Sequence, residues 1–399
     1  MTNRDPDLLP EDRWTALRGE FTIRPGVTYL NHGSFGPPPR AVVAARRAWQ
    51  DDLDANPMDF YVRRYEPLLA DAAEQVGKFV GTAGKNLTFV TNATMAMNLV
   101  AASFPLGPGD EVLLNDHEYG AVFRIWQRTC GDVGARVTTA TLPYPLRDPD
   151  EIVAAIFATV THRTRVIVVS QVTSPTAIVM PVAEICRKAA EQRIAVCIDG
   201  PHAPAMRDVD LDAMGCDFYC ASCHKWLSAP LGSGFLYVHP RRQAEMRPLV
   251  TSWGKRTAAD VPALWTDEFR WSGTGDPSPY LAIPVAIQFQ QDVGLDAFRL
   301  HTHALMREAR RRIEAVTGLL AFVPDVFAWY GSMLTMPLPP GDAPQLQRLL
   351  WERHGIEILV LTWNERRYVR PSFHLYNTQA DLDRLIEALQ AELAAERRA

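Results

Sequence analysis

The nine residues YCASCHKWL, Tyr219 to Leu227, carry three chemistries at once. Cys220, Cys223 and His224 match the C-x-x-C-H pattern of covalent haem attachment, the two cysteines alone match a redox or metal pair, and Lys225 is an amine able to form an imine. Haem attachment belongs outside the cytoplasm, and the amino-terminal MTNRDPDLLPEDRW, charged from its first residues, shows no apolar core or cleavage site of an export signal. A redox pair wants exposed thiols at a helix start, whereas these cysteines flank the end of an apolar strand. Zinc needs a second Cys/His pair at ligand spacing, and the chain has none. Two small core-filling cysteines is the preferred reading, and it leaves Lys225 to carry the chemistry.

Upstream, AVCIDGPHAP ends an apolar strand on Asp199, 26 residues before Lys225. A carboxylate at the carboxyl end of a parallel strand faces the crevice where α/β sheets bind ligands. An acid and an amine on neighbouring strand ends meet the needs of pyridoxal phosphate: the lysine forms the imine, and the aspartate pairs with the pyridine nitrogen and keeps the ring electron-poor. A phosphate site is required too. FVTNATMAMN passes from strand to helix, so the N–H groups of Ala93 and Thr94 and the Thr94 hydroxyl could hold a dianion at the positive helix end, although Asn and Thr also cap ordinary helices. Ser222 and His224 add donors beside the lysine.

These residues need a scaffold, and the chain offers one. Between residues 85 and 240 the apolar runs EVLLN, ARVTTATL, TRVIVVS, IAVCIDG, DFYCAS and GFLYVH alternate with helix-period segments such as ATMAMNLVAASF and PVAEICRKAAEQR, the pattern of a mostly parallel sheet covered on both faces. A long helical stretch from Pro279 to Val316 then leads into mixed strand and helix signals, with PLPPGDAP as a loop, which predicts a smaller carboxyl-terminal domain. In the tail, Leu382, Leu385, Ile386, Leu389 and Leu393 share one helix face and must dock.

A chain of 399 residues with 47% hydrophobic content can bury one large core or two unequal ones. A net charge of −5, mixed along the chain, gives no basic stripe for nucleic acid. No apolar run approaches the ~18 residues of a membrane span. Six cysteines in apolar segments fit a reducing compartment, so a cytoplasmic protein is expected.

Eight motifs in order, YLNHGSFGPPP, TNATMAMN, NDHEYGA, SQVTSPT, DGPHAP, ASCHKW, WSGTGDPS and YVRPSFHLYNT, span residues 29 to 378. Through them the chain resembles the fold-type I pyridoxal-phosphate enzymes of the class V aminotransferase superfamily, in the isopenicillin N epimerase-like subgroup. That resemblance implies an α/β fold: an amino-terminal segment (1–30), a large cofactor-binding domain (31–278) with a mostly parallel seven-stranded sheet, and a smaller α+β domain (279–399). It makes Lys225 the Schiff-base lysine and Asp199 the pyridinium partner, and sets His202 near the cofactor's phenolic oxygen. Ala93, Thr94, Ser222 and His224 fall at phosphate-contacting positions. Thr274 matches a residue reaching the phosphate of the neighbouring subunit, so a homodimer is implied. His117, in preference to Tyr119, is expected over the ring, and either could serve as a second acid or base. Arg370 aligns with the arginine that grips the substrate's α-carboxylate, Asn31 and His32 are expected at the substrate entrance, and Arg366 and Arg367 in a solvated loop.

Departures from relatives matter as well. GIEILVLTWNERRYVR has no cysteine where cysteine desulfurases carry their nucleophile, and the resemblance sets Gln171 and Ser174 at positions near the cofactor where desulfurases have an Asn. The resemblance therefore implies a small amino-acid substrate and one of three outcomes after α-proton removal: β-elimination by a C–S lyase, epimerisation, or transamination, ranked in that order. Lys225 must lose its proton well below ~10 to serve as base, which burial would accomplish. Trp253, Trp265 and Trp271 suggest an aromatic pocket wall or interface packing.

Overall fold

The computed structural model describes residues 11–254 and 264–398. After the short β1 (Thr28–Tyr29), seven strands follow in chain order: β2 (Leu87–Val90), β3 (Glu111–Asn115), β4 (Arg136–Ala140), β5 (Thr164–Ser170), β6 (Ala195–Asp199), β7 (Phe218–Ser222) and β8 (Gly234–Val238). They form one sheet in the order β2-β8-β7-β6-β5-β3-β4. The pairs from β7 to β4 are parallel, and β8 alone runs against its neighbours β7 and β2. The fold is α/β with a mostly parallel seven-stranded sheet, as the resemblance implies; the six strand runs read from the sequence are β3 to β8, and β2 is the seventh.

Each central strand is buried on both faces, and the period-2 alternation of side chains divides them between two cores. Val112, Leu114, Val166, Val168, Cys197 and Cys220 point to the side of the helix Ala93–Ser103 and Trp126. Leu113, Ile167, Val169, Val196, Ile198 and Ala221 point to the opposite side, where the carboxyl-terminal elements pack. All six cysteines are free and buried within these cores. The core-filling reading of Cys220 and Cys223 therefore holds.

The long helical stretch is three helices, Ser278–Leu281, Ile283–Val293 and Leu295–Thr317. Gly294 breaks it at φ 92°, a conformation an L side chain resists, and Pro284 opens the second helix, where its missing N–H costs nothing. Beyond it, β9 (Met336–Pro337), β11 (Leu359–Trp363) and β12 (Arg366–Arg370) form an antiparallel sheet in the order β11-β12-β9, and β10 (Ile356–Glu357) pairs in parallel with β1. Asn364 and Glu365 form the two-residue turn between β11 and β12, both at positive φ, which matches the twist of a tight hairpin. That register sets Arg370 opposite Leu359 at the far end of the ribbon. Arg367, expected in solvent, lies on β12, is 3% exposed and pairs with Glu396 at 2.8 and 2.7 Å. The strand pleat turns it inward, whereas Arg366 stays exposed over the Tyr144 ring. The tail helix Gln379–Glu396 starts at a capping box of Thr378 and Asp381, and its five apolar residues are buried.

Candidate active site

The ends of β2, β6 and β7 and the start of β8 meet at one edge of the sheet, because β8 runs backwards and pairs Gly234 with both Ser222 and Val90. A cavity of about 470 Å³ opens there. Asp199 closes β6, and Lys225 follows β7 by three residues, inside a turn held by Ala229 N–H donating to the Cys223 carbonyl at 3.0 Å. Gly200 is required behind Asp199, since a Cβ would sit 2.1 Å from the Tyr219 ring.

Burial pushes the Lys225 amine down from its ordinary range, with Arg370 adding to the effect and Asp199 opposing it. Burial likewise raises the Asp199 carboxyl, with Lys225 pulling the other way. Hydrogen bonding fixes the state further. The Trp226 indole N–H, a donor only, points at His202 Nδ1 at 3.3 Å, and His202 Nε2 lies 3.0 Å from Lys225 Nζ. Burial first, then Lys225, lowers the His202 pKa far below 6.5, so its ring is neutral and its one proton sits on Nε2. That N–H needs a lone pair to donate to, which Lys225 offers in its unprotonated form, the form that burial favours.

On the opposite flank, Asn92 caps the helix Ala93–Ser103 by accepting from Met95 N–H at 2.9 Å. The expected pair of free N–H groups is only half present, because Ala93 N–H donates to Ser222 Oγ at 2.9 Å. Ser222 accepts in that bond and so keeps its own hydroxyl proton free to donate. Thr94, Ser222 and His224 line the cavity, and His224 Nδ1 is buried without a partner. Burial, then Lys225, lowers His224 to about 4. Gly234 lets the loop approach: a Cβ would lie 2.4 Å from the Ala221 carbonyl and 3.1 Å from Asn92 Cα.

Arg370 is 2% exposed, and its head lines the cavity. Nη1 donates to the Ser174 carbonyl and to Ser174 Oγ at 3.3 Å, Nη2 donates to Ser34 Oγ at 3.0 Å, and Nε is buried with no partner. Burial lowers its pKa to about 10, so the guanidinium stays charged at neutral pH.

Several expected residues lie elsewhere. Tyr119, 48% exposed, lines the cavity, while His117 is 1% exposed, turned away to Thr176 Oγ1 at 2.8 Å and packed on Trp363. His117, expected over the ring, does not line the cavity, whereas Tyr119 does: Asn115 Oδ1 accepts His117 N–H and folds the turn so that residue 119, at the helix start, looks inward. Asn31 and His32 are buried behind the wall rather than at an entrance, and Gly33, Ser34 and Phe35 face the cavity instead. Gln171 lies outside the wall as well, accepting from Tyr219 O–H at 2.6 Å. Thr274 lines a separate groove of about 390 Å³ with Tyr61, Tyr65, Trp271 and Tyr280. None of the three tryptophans lines the Lys225 cavity: Trp253 is 91% exposed, Trp265 donates to the Lys85 carbonyl at 3.0 Å, and Trp271 packs edge-on against Tyr61 and Tyr65. Residues 255–263 of the same stretch lie outside the described residues.

One residue of the site region left no signal in the sequence. Glu118 is fully buried beneath the turn, accepting from Asn115 Nδ2, Ser170 N–H at 2.9 Å and Ser170 Oγ at 2.5 Å. Burial, offset by the Ser170 hydroxyl and N–H, raises its carboxyl to about 8, with the nearby Asp199 adding to the rise.

A sheet-edge cavity lined by a lysine, a buried aspartate, hydroxyl and imidazole donors at a helix start and a buried arginine is the setting of a pyridoxal-phosphate enzyme. The chain belongs to the aminotransferase class-V family, which matches residues 29–385. It is 38% identical over 389 residues to the isopenicillin N epimerase of Streptomyces clavuligerus, covering 95% of this chain and 98% of that one. It is 28% identical over 414 residues to a chloroplastic protein of Arabidopsis thaliana described as a probable L-cysteine desulfhydrase, covering 94% and 84%. In fold it resembles a variant of C-DES with glycine covalently linked to the pyridoxal-phosphate cofactor, at a TM-score of 0.81 and 20% identity over 94% of this chain and 98% of that one. The cofactor is pyridoxal 5′-phosphate, and the groups present suit it: the unpartnered His224 Nδ1, the Ser222 hydroxyl and the Asp199 carboxylate, donors for a phosphate and an acid for a pyridine nitrogen, all belong to residues lining this one cavity.

Proposed function

We propose that the protein is a C–S lyase that takes the α-proton from a cysteine-derived conjugate and expels the sulfur substituent from the β-carbon. Pyridoxal phosphate, when bound, supplies an electron-poor ring that stabilises negative charge on the substrate's α-carbon. Arg370 binds the α-carboxylate through the Nη groups now resting on Ser174 and Ser34, and its flat fork sets the angle of the substrate. Lys225 Nζ, kept as free base by His202 and burial, receives the α-proton. Asp199 keeps the ring nitrogen protonated, Tyr119 covers the ring face, and Thr94, Ser222 and His224 hold the phosphate, joined by Thr274 of the partner subunit in a homodimer. The C–S bond then breaks with its electron pair leaving on sulfur, and the resulting enamine hydrolyses to pyruvate and ammonia. A cytoplasmic location fits the six reduced thiols.

The observation that carries this reading is the composition of the cavity wall. Among the described residues it presents one lysine amine, lowered by burial, and no thiol, and burial raises the Cys130, Cys186 and Cys223 thiols to about 11, 12 and 12. Elimination needs one base, and a persulfide-forming route needs an accessible thiolate. Epimerisation is the second reading, favoured by 38% identity to the Streptomyces epimerase and by the Tyr119 phenol as a second acid. Incubation with cysteine S-conjugates and with L-amino acids in deuterated water separates the two. Pyruvate release supports elimination; an inverted, α-deuterated amino acid without pyruvate sinks it.

A further inference from the structure

The turn Asn31–Gly36 touches both working ends of the cavity. Ser34 Oγ accepts from Arg370 Nη2 at 3.0 Å, and two residues earlier His32 Nε2 lies 2.9 Å from the carbonyl oxygen of Lys225. A carbonyl only accepts, so His32 carries its proton on Nε2. Burial, which lowers the ring to about 3, keeps it from gaining a second proton. Its Nδ1 is then an acceptor, filled by Tyr376 O–H at 2.8 Å. The tautomer is locked from both sides.

The ring is locked in orientation too. His32 stacks on His374 with centroids 3.7 Å apart and planes at 9°, and His374 Nε2 in turn lies 3.3 Å from the Trp226 carbonyl. Neither ring has measurable exposure. Gly36 closes over the imidazole so tightly that a Cβ would sit 2.4 Å from His32 Nε2. Two of the partners of His32, His374 and Tyr376, follow Arg370 on one short segment, and that segment is tied back to the turn by Ser372 N–H donating to the Leu30 carbonyl at 2.9 Å. The peptide carrying the base and the peptide carrying the arginine therefore meet at one imidazole.

We propose that this turn is a positioning bridge: His32 fixes the Lys225 backbone relative to Arg370, so that an amino acid gripped by its carboxylate presents its α-hydrogen to the amine. His32 is a positioning residue, and the inference rests on the roles given above to Lys225 and Arg370 but not on whether elimination or epimerisation follows. The test uses two substitutions that divide the ring's two nitrogens. His32→Gln keeps a donor near the place of Nε2; His32→Asn keeps only a group near Nδ1. Two readouts are taken: the rate at which added pyridoxal phosphate attaches to Lys225 in cofactor-free protein, trapped with borohydride and read by peptide mass spectrometry, and α-proton exchange in deuterated water.

The Asn variant loses about 10- to 100-fold in attachment rate and in kcat for exchange, with KM little changed, and the Gln variant recovers most of the loss. Equal losses in the two variants, or a loss in KM with kcat intact, overturn the bridge and leave His32 as packing. Should the Asn variant not fold, Tyr376→Phe carries the test: it preserves the rings and removes one of the two hydrogen bonds that hold the imidazole in place. A slower attachment then supports the bridge, and an unchanged one overturns it. A wild-type protein that exchanges α-protons yet makes no pyruvate fails the lyase reading alone, and one that exchanges none is still tested by the attachment rate.

Discussion

Glu118→Gln isolates a buried acid whose cost depends on pH. The Glu118 carboxyl titrates at 4.5 when free and at about 8 in the folded chain, pushed up chiefly by burial. A folded-state value above the unfolded one means that the protonated acid suits the fold: its stabilisation is complete below pH ~4.5 and is lost as pH climbs toward ~8. The gap between the two values corresponds to roughly 5 kcal/mol at most, accruing at about 1.4 kcal/mol per pH unit. Glutamine keeps an oxygen for Ser170 N–H and cannot ionise, so the variant should match the wild type to within ~1 kcal/mol at pH 5 and exceed it by several kcal/mol at pH 9. The assay is thermal unfolding of cofactor-free protein from pH 5 to 9, read as the difference in Tm between variant and wild type. Groups common to both chains, Asp199 and Lys225 among them, largely cancel in that difference. A Tm gap that stays flat across the range refutes the reasoning, since Glu118 would then be ionised in the fold without penalty.

Three other outcomes follow from the cavity. Arg370→Lys replaces a two-pronged donor by a point charge and should raise KM about 30-fold, roughly 2 kcal/mol, measured by steady-state kinetics. Tyr119→Ala should weaken cofactor retention about tenfold in equilibrium dialysis, while His117→Ala leaves it nearly unchanged. Gly234→Ala drives a Cβ against two backbones, 2.4 Å from the Ala221 carbonyl and 3.1 Å from Asn92 Cα, and should cost about 1–3 kcal/mol in thermal melts while loosening the anion cradle.

What the chain reveals before folding depends on how rigidly local pattern fixes direction. Asp199 was legible because a wholly apolar strand ends on an acid, and a parallel strand's end has only one crevice to face. The division of the core between two sheet faces follows from the same alternation. The preference for His117 over Tyr119 failed because both lie in a turn without a period, and the hydrogen bond that His117 N–H donates to Asn115 Oδ1 decides which one looks inward. Asn31 and His32 share a motif with Ser34 and Phe35, yet the parallel bridge Asn31↔Ser372 and the His374 stack draw the first two behind the wall, contacts made across more than 300 residues of chain. Arg367 read as a surface charge because its partner, Glu396, lies 29 residues further on. Glu118 gave no sign at all: acids are common, and only its enclosure by Ser170 and Asn115 makes this one unusual.

The sealed cysteines bear on what such an enzyme can tolerate. Under the elimination proposed above, the enzyme would work in a bath of its own reactive sulfur products. With every sulfhydryl of this chain shut inside the hydrocarbon interior, and several of them made poor nucleophiles by that enclosure, released sulfur meets no surface on which to build a mixed disulfide. Turnover and self-inactivation are thereby kept apart by packing alone.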